Sequence, residues 1–333
     1  MTELTADRAS QPGGEGGTAP GSPSGRNSGA VASMVHVRTG PEPHTGGHAW
    51  ASICAETPTR CRARTRLYRD GRLVAEGFPV PQISDHVGDD GVVVWLDLHD
   101  PEPDDLVVLT QEFGLHPLAV EDAVQKHERP KLDRYSDHLF LSAYAVQLDE
   151  DSGELHSSEL AAFITETALI TIRKDTGFNL DRLVKRWDDS PELTSHGVSF
   201  LLHGLLDDLV DGHFAAVQSL DEQIEELQDQ LFSEIGPGVE VQRRSFELRK
   251  SLVLLRRVVL PMREVLNSLM RRDIHLLDEE MTHYYHDVYD HVLRATEWTE
   301  SLRDLVTTIL ETRLTIQGNR LNEIMRKLTS WAA

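Results

Sequence analysis

Apolar residues towards the C-terminus recur in steps of three and four, through Val288, Val292, Ala295, Trp298, Leu302, Leu305 and Ile309, and lay one stripe along a helix. Little interrupts it: beyond Pro261 there is no further proline and only one glycine, Gly318. The pattern predicts a helix over 282–333, roughly 75 Å long at 1.5 Å per residue. A helix of that length is too long to bury in its own globule, so it reads as a stalk that packs against other stalks.

Upstream the period changes to that of strands. Leu67, Tyr68, Leu73 and Val74 stand in a basic, alternating stretch that turns at Asp70-Gly71, an outer strand pair. Residues 92–98 form a short apolar run between Gly91 and Pro101, the mark of a buried strand. Helical patterns cover 104–113 and 117–124. Strands follow at 139–148, 160–165 and 169–173, the first two separated by a turn over 149–153. From about 180 the pattern is helical to the end. A long helix over 199–235 breaks at Gly236-Pro237-Gly238. The returning segment carries Arg243, Arg244, Arg249, Lys250, Arg256 and Arg257 opposite Asp221, Glu222, Glu225, Glu226, Asp229 and Glu234, which predicts an antiparallel hairpin. The fold class is therefore α+β. A mixed-sheet α/β domain spans 55–200, and long antiparallel helices with a C-terminal stalk span 201–333. Residues 1–54, rich in glycine, proline and serine and without apolar periodicity, read as disordered.

Charge narrows the function. The net charge is −22, from 33 basic and 55 acidic residues. That argues against nucleic acid as a partner and favours cations. Cys54 and Cys61 match no zinc or redox spacing, and two thiols in so long a chain suggest a reducing compartment. Along the stalk the charge changes sign. Asp287, Asp290, Glu297, Glu300, Asp304 and Glu311 outnumber Arg294 and Arg303, and then Arg313, Arg320, Arg326 and Lys327 precede the final Leu-Thr-Ser-Trp-Ala-Ala. Cations followed by a tryptophan-containing apolar turn suit a helix approaching a bilayer from its cytoplasmic side. A soluble coiled coil with a basic end fits the same pattern. No run of eighteen or more apolar residues is present, so the chain as given reads as soluble. His283, His286 and His291 stand near Asp287 and Asp290, but at spacings of three and five they do not share one helical face. No phosphate-cradling glycine loop and no nucleophile–base pair is evident, so the sequence does not read as an enzyme.

Six separated segments carry a resemblance. They are Phe113-Gly-Leu-His-Pro-Leu-Ala-Val-Glu-Asp122; His127-Glu-Arg-Pro-Lys-Leu-Asp133 with Tyr135-Ser-Asp-His-Leu-Phe140; Leu205-Leu-Asp-Asp-Leu-Val-Asp211; Pro261-Met-Arg-Glu-Val-Leu266; Asp287-Val-Tyr-Asp-His-Val292; and Gly318-Asn-Arg-Leu-Asn-Glu-Ile-Met-Arg-Lys-Leu-Thr329. In order and spacing, over about 90–329, they resemble the cytoplasmic part of the CorA family of magnesium channels.

That resemblance implies a funnel-shaped homopentamer, five stalks around an ion path, carrying Mg2+ with Co2+ or Ni2+ as further cargo and lying at the cytoplasmic face of the plasma membrane. Asn322, Met325 and Leu328 match the family's lower pore-lining positions. Amide oxygens at Asn322 would hold a hydrated cation, and the Met325 and Leu328 rings would gate by dewetting. Glu121, Asp122, Asp207, Asp287 and Glu311 match positions that form regulatory divalent-ion sites between neighbouring subunits. Asp122 with Glu311 would make one site; Glu121, Asp207 and Asp287 would contribute to another. Glu311 stands where the family often has the shorter Asp. Family members also carry two membrane helices with a Gly-Met-Asn signature after the first, and neither is in this sequence. It therefore reads as a cytoplasmic piece, or the product of an interrupted gene, that does not conduct ions alone. A zinc-transporting branch of the superfamily and a soluble metal-sensing scaffold are the alternative readings.

Overall fold

A computed structural model of the chain describes residues 61–332, apart from 126–128, 191–192, 233–238 and 272–275. The N-terminal segment read as disordered, Cys54 and the break at Gly236-Pro237-Gly238 lie outside the described residues. Strands β1 (Arg62–Arg69) and β2 (Arg72–Glu76) form an antiparallel hairpin. Asp70 and Gly71 close its turn at φ 49° and 75°, the left-handed pair that a two-residue turn needs to follow the strands' twist. Space also requires the glycine, since a Cβ at 71 would lie 2.9 Å from the Ser195 backbone nitrogen.

The hairpin is one edge of a seven-stranded mixed sheet, ordered β2-β1-β3-β7-β6-β5-β4. Its remaining strands are β3 (Val92–His99), β4 (Lys131–Arg134), β5 (Leu139–Leu148), β6 (Leu155–Ile164) and β7 (Ala168–Arg173). The central β3–β7 pair is parallel and its neighbours are antiparallel. Two strands depart from the sequence pattern. β4 is an edge strand of charged residues, Lys131, Asp133 and Arg134, which offers no apolar alternation to read. β6 begins at Leu155, well ahead of 160, because His156, Ser157 and Ser158 pair with β5 through the backbone while their side chains carry no apolar signal.

Each sheet face buries a different layer. Val94, Leu96 and Leu98 of β3 pack with Leu109 of α1 (Val107–Phe113) and with Ala119, Val120 and Ala123 of α2 (Pro117–Val124). Trp95 points the other way, as the pleat requires, towards α3 (Leu180–Asp188), α4 (Val198–Phe232), α5 (Val239–Leu269) and α6 (Thr282–Ala332). Its ring meets Trp187 of α3 edge-on at 5.0 Å. This face of the sheet and helices α3 to α6 thus share one core, and α1 and α2 cover a second on the other face.

The α4–α5 hairpin is held by Ile224 and Leu227 against Val241 and Leu248. Of the opposed charges, Arg244 reaches Glu226 at 3.1 Å. Lys250 turns instead to Glu154 on the β5–β6 side, and Arg256 to Glu300 on α6. The basic run therefore ties α5 to several elements. Ser251 adds a buried tether, donating to the Gly153 carbonyl at 2.7 Å and accepting from the Leu155 amide at 3.1 Å.

On α6 the buried seam runs Tyr285, Val288, Val292, Ala295, Thr299, Leu302, Val306, Ile309 and Arg313. These steps average three and a half residues, the period of a supercoiled contact. Trp298 and Leu305, read as part of the stripe, lie at its partly buried edge, and Thr299 and Val306 take the seam. Thr299 is tolerated there because its hydroxyl donates to the Ala295 carbonyl at 2.6 Å. The upper half of α6 is thus buried against this chain's own helices, contrary to a stalk that packs only on other stalks. From Leu314 onward nearly every residue is exposed. No helix among the described residues is long and apolar enough to cross a membrane.

Candidate metal site

The five acids read from the sequence fall on opposite faces of the sheet. α2 opens with Pro117 at its first turn and with the His116 imidazole accepting from the Leu118 amide at 3.2 Å, a cap that fixes where the helix starts. Its apolar side faces the sheet, which leaves Glu121 and Asp122 on the last turn, outward. Glu121 is exposed and accepts from the Gln125 amide at 3.3 Å. Asp122 is held by Lys131 Nζ at 2.9 Å, and the same ammonium sits 2.7 Å from Asp133. Burial opposes the charged form of Lys131, yet the hydrogen bonds to Asp133 and Asp122 outweigh it and raise its pKa.

Asp207 of α4 and Asp287 of α6 lie on the far side of the sheet, near enough for the Asp287 charge to act on Asp207. Asp207 is partly buried, with 13% of its side chain exposed, and is paired with Arg186 of α3. Burial raises the Asp207 pKa; Arg186 opposes the rise and Asp211 adds to it, with smaller contributions from His291 and Asp287. Asp287 is exposed and acts on its neighbours through charge. Burial, helped by the Arg186 charge and opposed by Asp287, holds the His203 imidazole down to about 4.

One constellation was not assembled from the sequence. The ligand atoms of Asp207, Asp211 and His291 lie within 4.8 Å of one another, all three side chains half-buried. Asp207 and Asp211 are one helical turn apart on α4, and Asp287 and His291 one turn apart on α6, so each pair shares a face. Each pair is legible in the sequence as an i,i+4 spacing, but nothing there brings the 282–333 helix, read as packing on other stalks, beside α4. Grouping His291 with His283 and His286 concealed it, because those two point to solvent.

Glu311 is exposed on α6. Asn322, Met325 and Leu328 lie further along the same helix and are exposed, Met325 by 59% and Leu328 by 61%. Within one chain, among the described residues, no ion pair or hydrogen bond joins Glu121 or Asp122 to Asp207, Asp287 or Glu311.

The family model described as CorA-like Mg2+ transporter protein matches residues 90–333, and the chain belongs to this family. The cobalt/magnesium transport protein CorA of Thermotoga maritima is 30% identical over 243 residues, covering 72% of this chain and 69% of that protein. The complete structure of the CorA magnesium transporter from Methanocaldococcus jannaschii has a TM-score of 0.66 at 23% identity, covering 80% of this chain and 81% of that one. The soluble domain of CorA from the same organism has a TM-score of 0.63 at 20% identity, covering 78% of this chain and 99% of that one. At these identities the two structures bear on the fold.

Proposed function

We propose that this chain is the cytoplasmic regulatory and stalk portion of a homopentameric divalent-cation channel at the plasma membrane, carrying Mg2+ with Co2+ or Ni2+ as further cargo and closed by intracellular Mg2+. The observation that carries the reading is the lower stalk. Leu314, Leu321, Ile324, Met325, Leu328 and Trp331 are exposed by 48–92% on a helix whose upper half buries its apolar seam against this chain's own helices. Burying them would remove about 1.5–3 kcal/mol of exposure cost per large side chain, and further copies of the same helix supply the partner. In such a ring Asn322, Met325 and Leu328 line the ion path.

The carboxylates regulate. Asp122 meets Glu311 of a neighbouring subunit, and Glu121, Asp207 and Asp287 form the second set. Two carboxylates about 4 Å apart repel by roughly 4 kcal/mol at an effective dielectric near 20. Mg2+, which keeps most of its water and takes one or two carboxylates, bridges them and favours the closed ring. When Mg2+ falls the repulsion is left uncompensated and the ring loosens. The ion shifts the balance only by its differential affinity for the two states.

Sedimentation of the chain with and without millimolar Mg2+ tests this. The expected result is an Mg2+-dependent equilibrium between small species and a pentamer. A strict monomer at high concentration with Mg2+ present would overturn the assembly, and an Mg2+-independent dimer would support a coiled-coil scaffold instead.

A further inference from the structure

We infer that the α4–α5 hairpin makes a further contact between copies of this chain, in which Phe246, Arg249 and Val253 of α5 seat on Glu225, Glu222 and Gln218 of the next copy's α4. The inference rests on the ring proposed above and names a surface outside both the stalk and the regulatory carboxylates.

One side of the contact is an apolar and basic stripe on α5. Phe246 is 67% exposed and Val253 45%. With Arg249 and Arg257 they follow one another at three and four residues along the outward face of the helix, over about 16 Å. Two large apolar side chains one heptad apart repeat like a contact seam, and the arginine stems widen it. Lys250 and Arg256, which flank the stripe, are taken by Glu154 and Glu300. Arg249 and Arg257 have no ion pair among the described residues.

The other side is on α4 and carries the opposite charge. Gln218, Glu222, Glu225 and Asp229 are exposed and also follow at three and four. Glu226, at the edge towards α5, takes Arg244 at 3.1 Å. Glu222, Glu225 and Asp229 meet no cation among the described residues. One helix of the hairpin thus presents carboxylates and the other guanidiniums, and no ion pair joins these two outward stripes within one chain. Two different, complementary faces on one molecule make a head-to-tail contact, the kind that closes into a ring.

The hairpin also sets the register. Arg244 beside Glu226 fixes the level of α5 against α4, and from there each step along α5 matches a step back along α4. The helices α4, α5 and α6 pack side by side, so rotation about an axis along the stalk leaves these levels unchanged. Phe246 then stands level with Glu225 of the next copy, Arg249 with Glu222, and Val253 with Gln218. The guanidinium meets a carboxylate, and the two apolar side chains lie on the stems of Glu225 and Gln218. Water kept off the ion pair by those neighbours makes it stronger than an isolated surface pair.

The test compares sedimentation of the full chain and its variants at the Mg2+ concentration where the parent assembles. Arg249→Glu sets like charges against each other, and Phe246→Ala removes the apolar part. Each should raise the concentration for half assembly by about tenfold or more. Glu222→Arg alone weakens assembly, and Arg249→Glu combined with Glu222→Arg restores it. Arg263→Glu, the same charge change off the stripe, leaves assembly as in the parent. All four side chains are exposed, so the fold is kept, and circular dichroism checks it. Parent-like assembly of Arg249→Glu, no rescue by the double variant, or an equal loss in Arg263→Glu would overturn this contact alone. Assembly that follows Arg249 and Glu222 but ignores Mg2+ would overturn the Mg2+ reading alone. A strict monomer at every concentration would overturn both.

Discussion

Lys131 on β4 holds Asp122 on α2, with Nζ 2.9 Å from the carboxylate and 2.7 Å from Asp133 on its own strand. One ammonium thus neutralises two acids beside the face where the regulatory reading places Mg2+. The ammonium also lies over Phe140, with Nζ 5.2 Å from the ring centroid. Lys131 is a built-in competitor for any cation at Asp122.

Lys131→Met should therefore strengthen the response to Mg2+. Without the ammonium, Asp122 and Asp133 repel each other, and the partly exposed cluster loses about 0.5–1 kcal/mol of stability in the absence of divalent ions. Added Mg2+ restores that loss, so the Mg2+-induced rise in melting temperature becomes larger than in the parent. An equal rise in both proteins would remove Asp122 from the regulatory set.

A second prediction concerns the centre of the sheet. Arg173 on β7 grips Asp97 on β3 through Nε at 3.0 Å and Nη2 at 2.8 Å, and Thr171 donates to the same carboxylate at 2.8 Å. Asp97 is almost wholly buried, with 1% of its side chain exposed. Asp97→Asn leaves the guanidinium under-paired inside the shared core and should cost about 3–5 kcal/mol, read as a fall in the urea midpoint. Replacing both partners, as Asp97→Leu with Arg173→Met, should recover most of it, because the desolvated charges go together. If the double variant is as unstable as Asp97→Asn, the pair contributes through shape rather than charge.

The third concerns alkaline pH. Burial pushes the Tyr68 hydroxyl up to about 12; Arg66 opposes the rise, and Asp188 and Glu76 add to it. In the unfolded chain tyrosine ionises near 10. With the folded value above the unfolded one, this group's stabilisation is complete below pH 10 and is lost as pH rises from 10 to 12, by about 3 kcal/mol at most. Tyr68→Phe should flatten that slope and change little at pH 8, where the hydroxyl is buried with no hydrogen-bond partner among the described residues. Urea midpoints at pH 8 and pH 11 decide it. An equal alkaline loss in parent and variant would assign the slope to other groups.

The sequence by itself determined the elements whose signal is local. The hairpin turn follows from Asp70-Gly71, and the buried strand at Val92–His99 from its uninterrupted apolar run. The long helix of Thr282–Ala332 follows from an apolar period with no proline, and six separated motifs were enough to show the family. Charged β4 was illegible, because an edge strand needs only backbone pairing and Lys131 and Asp133 carry no period. Only the tertiary structure decided which stripe of α6 is the seam. Thr299 is inside because the Ala295 carbonyl satisfies its hydroxyl, and Trp298 is displaced to the edge, where it packs on Phe214. The same holds for one cluster of side chains. Asp207, Asp211 and His291 are ordinary surface-type residues until α4 and α6 are laid side by side, because proximity between helices depends on packing that no single stretch of sequence encodes.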